Sequence, residues 1–222
     1  MMSTWTIFVK DLRLELRTWE SVATMLVFAA AVILLFAFTL DAAPTRFRSV
    51  IPGLMWMTYL FTAVLGLLRS FGHEKELDAY ALLLTAPVDR SAIYLGKMAA
   101  FFLVLLAVQV ISLPLFWLLL GVPVFAAPLA LAAIFVVTDL ALAAVGTLVA
   151  GLSLRLPAGD TLLPILLFPL LTPLLIAATK ATSAALDGQP LKEWDFWLMF
   201  LLTYFALFVL VGTVIFDYIS EQ

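Results

Sequence analysis

The residues of this chain that could do chemistry are few, and their densest group lies in one polar stretch, Arg69 to Lys97. The stretch contains the only histidine, His73, together with eight charged residues: Arg69, Glu74, Lys75, Glu76, Asp78, Asp89, Arg90 and Lys97. One histidine supplies one ligand at most, so His73 is interpreted as a loop or capping residue rather than a metal ligand. The chain has no cysteine, which excludes disulfides, thiolate metal sites and cysteine nucleophiles. The polar stretch is therefore interpreted as a site that receives a partner.

Motifs that would make the chain an enzyme are absent from the sequence. No GxxxxGK(S/T) loop occurs, so the chain lacks that cradle for the phosphates of ATP. HExxH, GxSxG and paired intramembrane acids are also missing. We therefore predict that the chain is not an enzyme by itself, that it binds no cofactor or metal directly, and that any ATP-driven work needs a separate polypeptide.

The composition is that of a membrane protein with several spans. Hydrophobic residues make up 65% of the 222-residue chain, charged residues make up 12%, and the mean hydropathy is +1.16. Soluble domains have roughly 45–50% apolar residues. The net charge of -3 argues against nucleic-acid binding, which needs a clustered basic face. We predict an all-α polytopic membrane protein.

Six apolar segments are long enough to cross a bilayer, which takes about 20 residues. The predicted spans are 21–40, 51–68, 98–120, 127–148, 161–179 and 196–216, in one transmembrane domain covering residues 1–222. An even number of spans puts both termini on one side. With the N-terminus inside, the inner segments hold eight of the 12 Lys and Arg residues and the outer loops hold four. The positive-inside rule then places both termini and the polar stretch in the cytoplasm.

Residues 3–19 have the pattern of an amphipathic helix that lies in the membrane interface. Trp5, Leu12 and Trp19 recur on an apolar side, while charged residues such as Lys10 and Arg17 take the other side. The alternative is the basic region of a signal peptide. The acids in this segment and the length of the following apolar run argue against that alternative.

Within the polar stretch, the spacing predicts a short amphipathic helix from His73 to Thr85. Leu77, Tyr80 and Leu84 fall on one side of it. Pro87 disfavours helical geometry at the residue before it, and Asp89 is placed to cap the next helix. The alternative is an ordinary solvated loop that makes no specific contact.

Four residues inside the spans call for a structural explanation. Asp139 lies within the fourth span, where a carboxyl group is costly, so it should face the bundle interior or a partner. A position nearer the end of the span and a protonated structural acid are the alternatives. Pro164, Pro169 and Pro173 interrupt the hydrogen bonding of the fifth span. They predict a kinked helix at a packed interface, with a gating hinge as the alternative.

Three passages of the sequence resemble the CcmB family of ABC-2-like permeases. The N-terminal helix contains KDLRLELR, and the second span and polar stretch contain PGLMWMTYLFTAVLGLLRSF and ALLLTAPVDRSAIYLGKMAAF. The fifth span contains LLPILLFPLLTPLLIAATKAT, which is the most specific of the three. These passages are spread over most of the chain, from the N-terminal helix to the fifth span, in the family's order. Asp139 has no counterpart in the pattern of the family.

The resemblance implies a membrane subunit of the haem-exporter-type ABC system of cytochrome c maturation, in the bacterial inner membrane. It implies a homodimer on which two CcmA-like ATPase subunits dock, with CcmC-like and CcmD-like haem-handling subunits as further partners. The short helix would be the coupling helix, with docking residues Glu74, Leu77, Tyr80, Leu84 and Pro87. Haem, if the complex handles it, would receive its axial ligands from the partner subunits.

Two other functions remain open from the sequence. The chain could be a general ABC-2 permease that exports a lipid, a drug or a polysaccharide. It could also be a non-transporting membrane scaffold through which an ATPase drives release of a haem-chaperone complex.

Overall fold

The computed structural model describes residues 4–40, 49–76, 89–154 and 159–218, with side chains except at residues 73–76, 160 and 218. This part of the chain forms seven α-helices and no strand. The helices are α1 (Thr4–Thr18), α2 (Glu20–Leu40), α3 (Ile51–Glu76), α4 (Arg90–Leu120), α5 (Pro128–Ser153), α6 (Gly159–Leu186) and α7 (Asp195–Tyr218), with a 3-10 turn at Leu191–Glu193. The prediction of an all-α protein is confirmed.

Six of these helices, α2 to α7, are long and apolar enough to cross a membrane, which confirms the predicted number of spans. Helices α3 and α5 bury most of their residues and form the centre of the bundle, whereas most residues of α2 and α7 are at least partly exposed. A single apolar core runs through the bundle and includes Trp56, Phe116, Leu142 and Leu167. An exposed apolar surface around such a core is what a lipid-facing bundle requires.

Several helices are longer than the spans predicted from hydropathy. Helix α3 continues to Glu76, and α4 begins at Arg90. The predicted bounds stop where charged residues begin, but a helix continues past that point while one of its sides stays buried. Phe71 supplies that buried side on α3, and Ile93 supplies it on α4. Residues 73–76, predicted to start a separate short helix, form the last turn of α3 instead.

The turn between α4 and α5 follows from two residues with special backbone properties. Gly121 adopts a left-handed conformation with φ of 62°, and the Val122 N–H donates to the Phe116 carbonyl at 3.3 Å. A glycine at this place ends a helix at little conformational cost. Pro128 then opens α5, where its missing N–H leaves no helical hydrogen bond unmade.

Helix α1 packs against the second turn of α4, at Gly96 and Lys97, rather than standing free. Its one fully buried side chain is Ile7, while Trp5, Leu16 and neighbouring Trp19 are more than half exposed. Trp19 has φ of 54°, a left-handed conformation that separates α1 from α2. The exposed apolar side fits an interfacial helix, as predicted for residues 3–19.

Helix α6 is continuous over Gly159–Leu186 although it contains three prolines. Pro169 and Pro173 lie on its exposed side, and Pro164 is half-buried. The opposite side, which includes Leu167 and Leu171, is fully buried. The two exposed prolines therefore have no packed interface within one chain, and an interface with another chain stays a prediction.

Candidate functional site

Most of the predicted docking residues lie outside the described residues. Leu77, Tyr80, Leu84 and Pro87 belong to that group, and Glu74 lies in the last turn of α3 without a described side chain. The structure instead describes the two helices that enter and leave this stretch, α3 and α4. They meet α1 at one end of the bundle, which we call the α1 end. It comprises α1, the first turn of α2, the last two turns of α3, the first two turns of α4, and the last turns of α5 and α7.

The first turn of α4 receives its capping interaction from the last helix of the chain. Asp89 occupies the N-cap position of α4, as predicted, but its side chain makes no capping hydrogen bond. The Ser91 N–H donates instead to Asp217 Oδ1 of α7 at 3.0 Å. A carboxylate at this place satisfies a free amide and opposes the positive end of the helix dipole.

An ion pair joins α1 to α4. Lys97 Nζ lies 3.3 Å from Asp11 Oδ2, and the two side chains are 4% and 17% exposed. The same Nζ lies 5.2 Å from the ring centroid of Phe71 on α3, within range of a cation–π interaction. An ammonium group buried to this extent requires a charged or polar partner. Lys97 therefore connects three helices at the α1 end.

Gly96, next to Lys97, allows α1 to approach this closely. A Cβ atom built at Gly96 would lie 2.9 Å from Ile7 Cβ and 3.0 Å from the Thr4 carbonyl oxygen. Both distances are too short for an ordinary contact, so only a hydrogen atom fits. Gly96 therefore leaves room for α1, and Lys97 forms the ion pair that holds α1 in place.

Two further polar contacts fasten α2 to its neighbours at the α1 end. Arg69 Nη1 lies 2.7 Å from Glu20 Oε1, which ties α3 to the first residue of α2. The Val22 N–H donates to Glu15 Oε1 of α1 at 2.9 Å. Two hollows of about 60 and about 30 Å3 lie beneath this network, each with room for only a few waters. The α1 end is therefore built as a polar joint among α1, α2, α3 and α4.

Tyr94 joins α4 to α5 and α7. It is fully buried, and its hydroxyl lies 3.0 Å from the Ala144 carbonyl oxygen and 3.1 Å from that of Phe208. The ring packs on Phe216 at a centroid distance of 5.2 Å, and a Cβ at Gly212 would overlap it. The sequence marks Tyr94 only as one letter of a family pattern, and nothing in its neighbours indicates this role.

A second polar group lies deep in the bundle, away from the α1 end. Asp139 on α5 is fully buried, and the Gln109 Nε2 on α4 donates to its Oδ1 at 2.8 Å. Near it, the Ser112 and Tyr59 hydroxyls lie 3.3 Å apart. Asp139 therefore lies in the interior of the bundle, in the middle of its helix. Gln109 was not predicted as a functional residue, although an amide in the apolar run LAVQVIS is a signal of the same kind.

A groove opens on the outer side of α3 and α6. It has a volume of about 420 Å3, and residues including Met57, Ile176 and Lys180 line it. The Trp56 Nε1–H at its base donates to Thr182 Oγ1 at 2.9 Å, which holds the two helices together behind the groove. Among the residues that the structure describes, no three His, Cys, Asp or Glu side chains come together as a metal site would require.

Comparison with known proteins gives one consistent result. The family model described as "CcmB protein" matches residues 2–216. "Heme exporter protein B" of Pseudomonas aeruginosa is 31% identical over 86% of this chain and 86% of its own length. Proteins of the same name from Rhodobacter capsulatus and Escherichia coli K12 are 30% and 32% identical, covering 82% and 87% of this chain and 84% and 87% of their own lengths.

Proposed function

Because the chain belongs to the CcmB family, we propose that it is the permease subunit of a haem-exporter-type ABC complex that acts in cytochrome c biogenesis. The observation that carries this proposal is the family match over residues 2–216, together with six helices able to span a membrane. Curated relatives over most of the chain are named haem exporters. A general lipid, drug or polysaccharide exporter and a non-transporting scaffold are not favoured by these matches.

The energy for transport would come from a separate CcmA-like ATPase. The chain has no phosphate-binding loop, and its polar stretch runs from the end of α3 to the start of α4. Docking would use Glu74, Leu77, Tyr80, Leu84 and Pro87, as the family resemblance implies. On the proposed orientation, with both termini inside and the complex in the bacterial inner membrane, this stretch faces the cytoplasm.

The polar joint at the α1 end suggests how movement of the ATPase reaches the membrane. Force on the stretch after Glu76 acts first on the last turn of α3 and the first turn of α4. Arg69, two turns before the end of α3, couples that helix to α2 through Glu20, and Lys97, two turns after the start of α4, couples that helix to α1 through Asp11. The Asp217 carboxylate extends the connection to α7. Docking would thus move five helices together.

A second copy of this chain is the proposed occupant of the exposed side of α6. Pro169 and Pro173 have no N–H, so the carbonyls of Ile165 and Pro169 lose their helical donors. Both carbonyls belong to exposed residues of a membrane-spanning helix, and freed carbonyls are tolerated in the hydrocarbon region only where protein or a water-filled cavity covers them. The groove between α3 and α6 lies beside the exposed prolines of α6. In a two-fold interface, the raised part of this face on one copy can pack into the groove of the other copy.

Haem contacts are assigned to the CcmC-like and CcmD-like partner subunits. This chain has a single histidine, His73, in the last turn of α3. A bis-histidine site would therefore need ligands from another polypeptide. ATP and haem would both be handled by the complex rather than held by this chain.

Co-purification from native membranes tests the proposed function. The tagged chain should bring down an ATPase, and its deletion should abolish c-type cytochromes. Replacing Leu77, Tyr80 and Leu84 by Asp should remove the ATPase while the melting temperature of the purified chain stays unchanged. A matched control replaces three exposed apolar residues of the opposite end, Phe125, Leu129 and Leu191, by Asp. Retention of the ATPase by the first variant would refute docking at this stretch, and intact c-type cytochromes in the deletion strain would refute the function.

A further inference from the structure

The buried pair of Gln109 and Asp139 has an incomplete set of hydrogen bonds. Gln109 is 2% exposed, Asp139 is 0% exposed, and one hydrogen bond of 2.8 Å joins Nε2 to Oδ1. The other polar atom of each side chain is an oxygen, Gln109 Oε1 and Asp139 Oδ2, and both oxygens are buried without a partner among the described residues. Two acceptors facing no donor are rare in a folded interior, because each one costs the free energy of its lost hydration.

No positive charge pairs with this carboxyl group in the part of the chain that the structure describes. The ion pairs of Lys10 and Lys97 with Asp11 and of Arg69 with Glu20 belong to the α1 end. The polar groups near Asp139 in sequence or space are neutral: Gln109, Thr138, Ser112 and Tyr59. An ionised carboxylate in such surroundings would have a single neutral donor at the depth of the bilayer, which is an unfavourable state.

We propose that Gln109 and Asp139 form a proton-binding site in the centre of the bundle, in which the Asp139 Oδ2–H donates to Gln109 Oε1. One hydrogen then satisfies both oxygens and removes the buried charge. A carboxylic acid and a carboxamide are planar groups, each with one donor and one acceptor side by side. With the observed Nε2–H···Oδ1 bond, the added O–H···Oε1 bond gives the pair two antiparallel hydrogen bonds.

A bound proton fits this site better than a metal ion does. Calcium takes about six to eight oxygen ligands and magnesium about six. The pair offers only two free oxygens, on residues of two adjacent helices. The proton also explains why an amide stands opposite the acid, since an amide can both donate to a carboxyl group and accept from it.

Infrared spectroscopy of the purified full-length chain tests the proposal directly. The probe is aspartate labelled with 13C at its side-chain carboxyl group. At pH 7 the chain should have one protonated-carboxyl C=O band that shifts with the label and that is missing from the Asp139→Asn variant. Observation of carboxylate bands only, in the labelled wild-type chain, would overturn the proposal without any variant having to fold.

Two substitutions add an independent test. Asp139→Asn replaces the acid O–H by an N–H, so it should keep both hydrogen bonds and leave the melting temperature within about 2 °C of wild type. Asp139→Leu removes both partners of Gln109 and should lower the melting temperature by roughly 5 °C. In Gln109→Leu, the labelled C=O band should move to higher frequency because its hydrogen bonds are lost. Asn destabilising as much as Leu would count against the proposal, because it would mean that the negative charge is needed.

Discussion

Lys97 of α4 and Asp11 of α1 form an ion pair across a sequence separation of 86 residues, with Nζ and Oδ2 3.3 Å apart. The pair connects the N-terminal helix to the helix that leaves the proposed docking stretch. Lys97 is nearly fully buried, so Asp11 neutralises a charge that has little access to water. This contact makes α1 part of the bundle rather than a helix that merely floats beside it.

Asp11→Asn should weaken the attachment of α1. The change leaves the Lys97 ammonium group without its carboxylate, although the Phe71 ring stays in place. We expect the free energy of unfolding to fall by roughly 2 kcal/mol, which corresponds to about 5 °C in melting temperature. Trypsin should also cleave faster at Arg13 and Arg17, because α1 leaves the surface of the bundle more often.

The matched control for that change is Arg17→Ala, which removes a charge from an exposed position of the same helix. It should leave the melting temperature nearly unchanged, as surface substitutions usually do. Equal melting temperatures for Asp11→Asn and wild type would contradict a structural role for the ion pair.

Gly96→Ala should push α1 away from α4. The new methyl group would lie 2.9 Å from Ile7 Cβ and 3.0 Å from a backbone oxygen, and backbone cannot move aside as a flexible side chain can. Overpacking of this kind costs about 1–3 kcal/mol. Gly72→Ala in α3 is the control, since nothing lies within 4 Å of its Cβ position. Thermal unfolding in detergent compares the two, and an equal loss of stability in both would contradict the close approach of α1.

Gly212→Ala should destabilise the chain more than Tyr94→Phe does. Tyr94→Phe removes a hydrogen bond that contributes about 1 kcal/mol to stability. The two carbonyls beside the hydroxyl lie within helices, so the loss of the hydroxyl should not leave them without a donor. A methyl group at Gly212 instead overlaps the ring and forces α7 away from α4. The melting temperatures of the two variants decide the order, and a larger loss for Tyr94→Phe would mean that the hydroxyl rather than the packing holds these helices together.

Ile176→Cys should form a disulfide-linked dimer in native membranes. The chain has no cysteine, so a single introduced thiol reports one position without background. Ile176 is 51% exposed on the same side of α6 as the two prolines, whereas the controls Val27→Cys on α2 and Leu210→Cys on α7 are 71% and 65% exposed. Non-reducing gel electrophoresis should detect a dimer for Ile176→Cys alone. Cross-linking at Val27 or Leu210 instead would move the interface to another face, whether or not the transport function holds.

Hydropathy was sufficient for the fold because each span is an apolar run that can be recognised from its own residues. It failed at the ends of α3 and α4, where one buried side chain per turn, such as Phe71, sustains a helix among charged residues. At the start of α4, Asp89 is the N-cap residue, as its position in the sequence predicts. The side chain that accepts from the first turn is nevertheless that of Asp217, which follows Ser91 by 126 residues and could not be found from local sequence.

The polar contacts of the site could not be predicted from the sequence either, because each of them joins residues that are far apart along the chain. Asp139 was recognisable alone, because a charge in an apolar run is conspicuous. Its pairing with Gln109 depends on the rotation of α4 against α5, which no local pattern encodes. The ion pair of Asp11 and Lys97 likewise depends on a tertiary approach that Gly96 permits but does not announce.

The carboxylate that Asp217 gives to the first turn of α4 has a consequence for biosynthesis. The ribosome makes α4 long before α7, so the Ser91 N–H has no such acceptor while the middle of the chain enters the membrane. The Tyr94 hydroxyl also lacks one of its two carbonyl acceptors, that of Phe208, until α7 has been made. The start of α4, and with it one border of the proposed docking stretch, reaches its final form only when the last helix has been synthesised. A chain cut short before α7 therefore presents an unfinished surface to its partners.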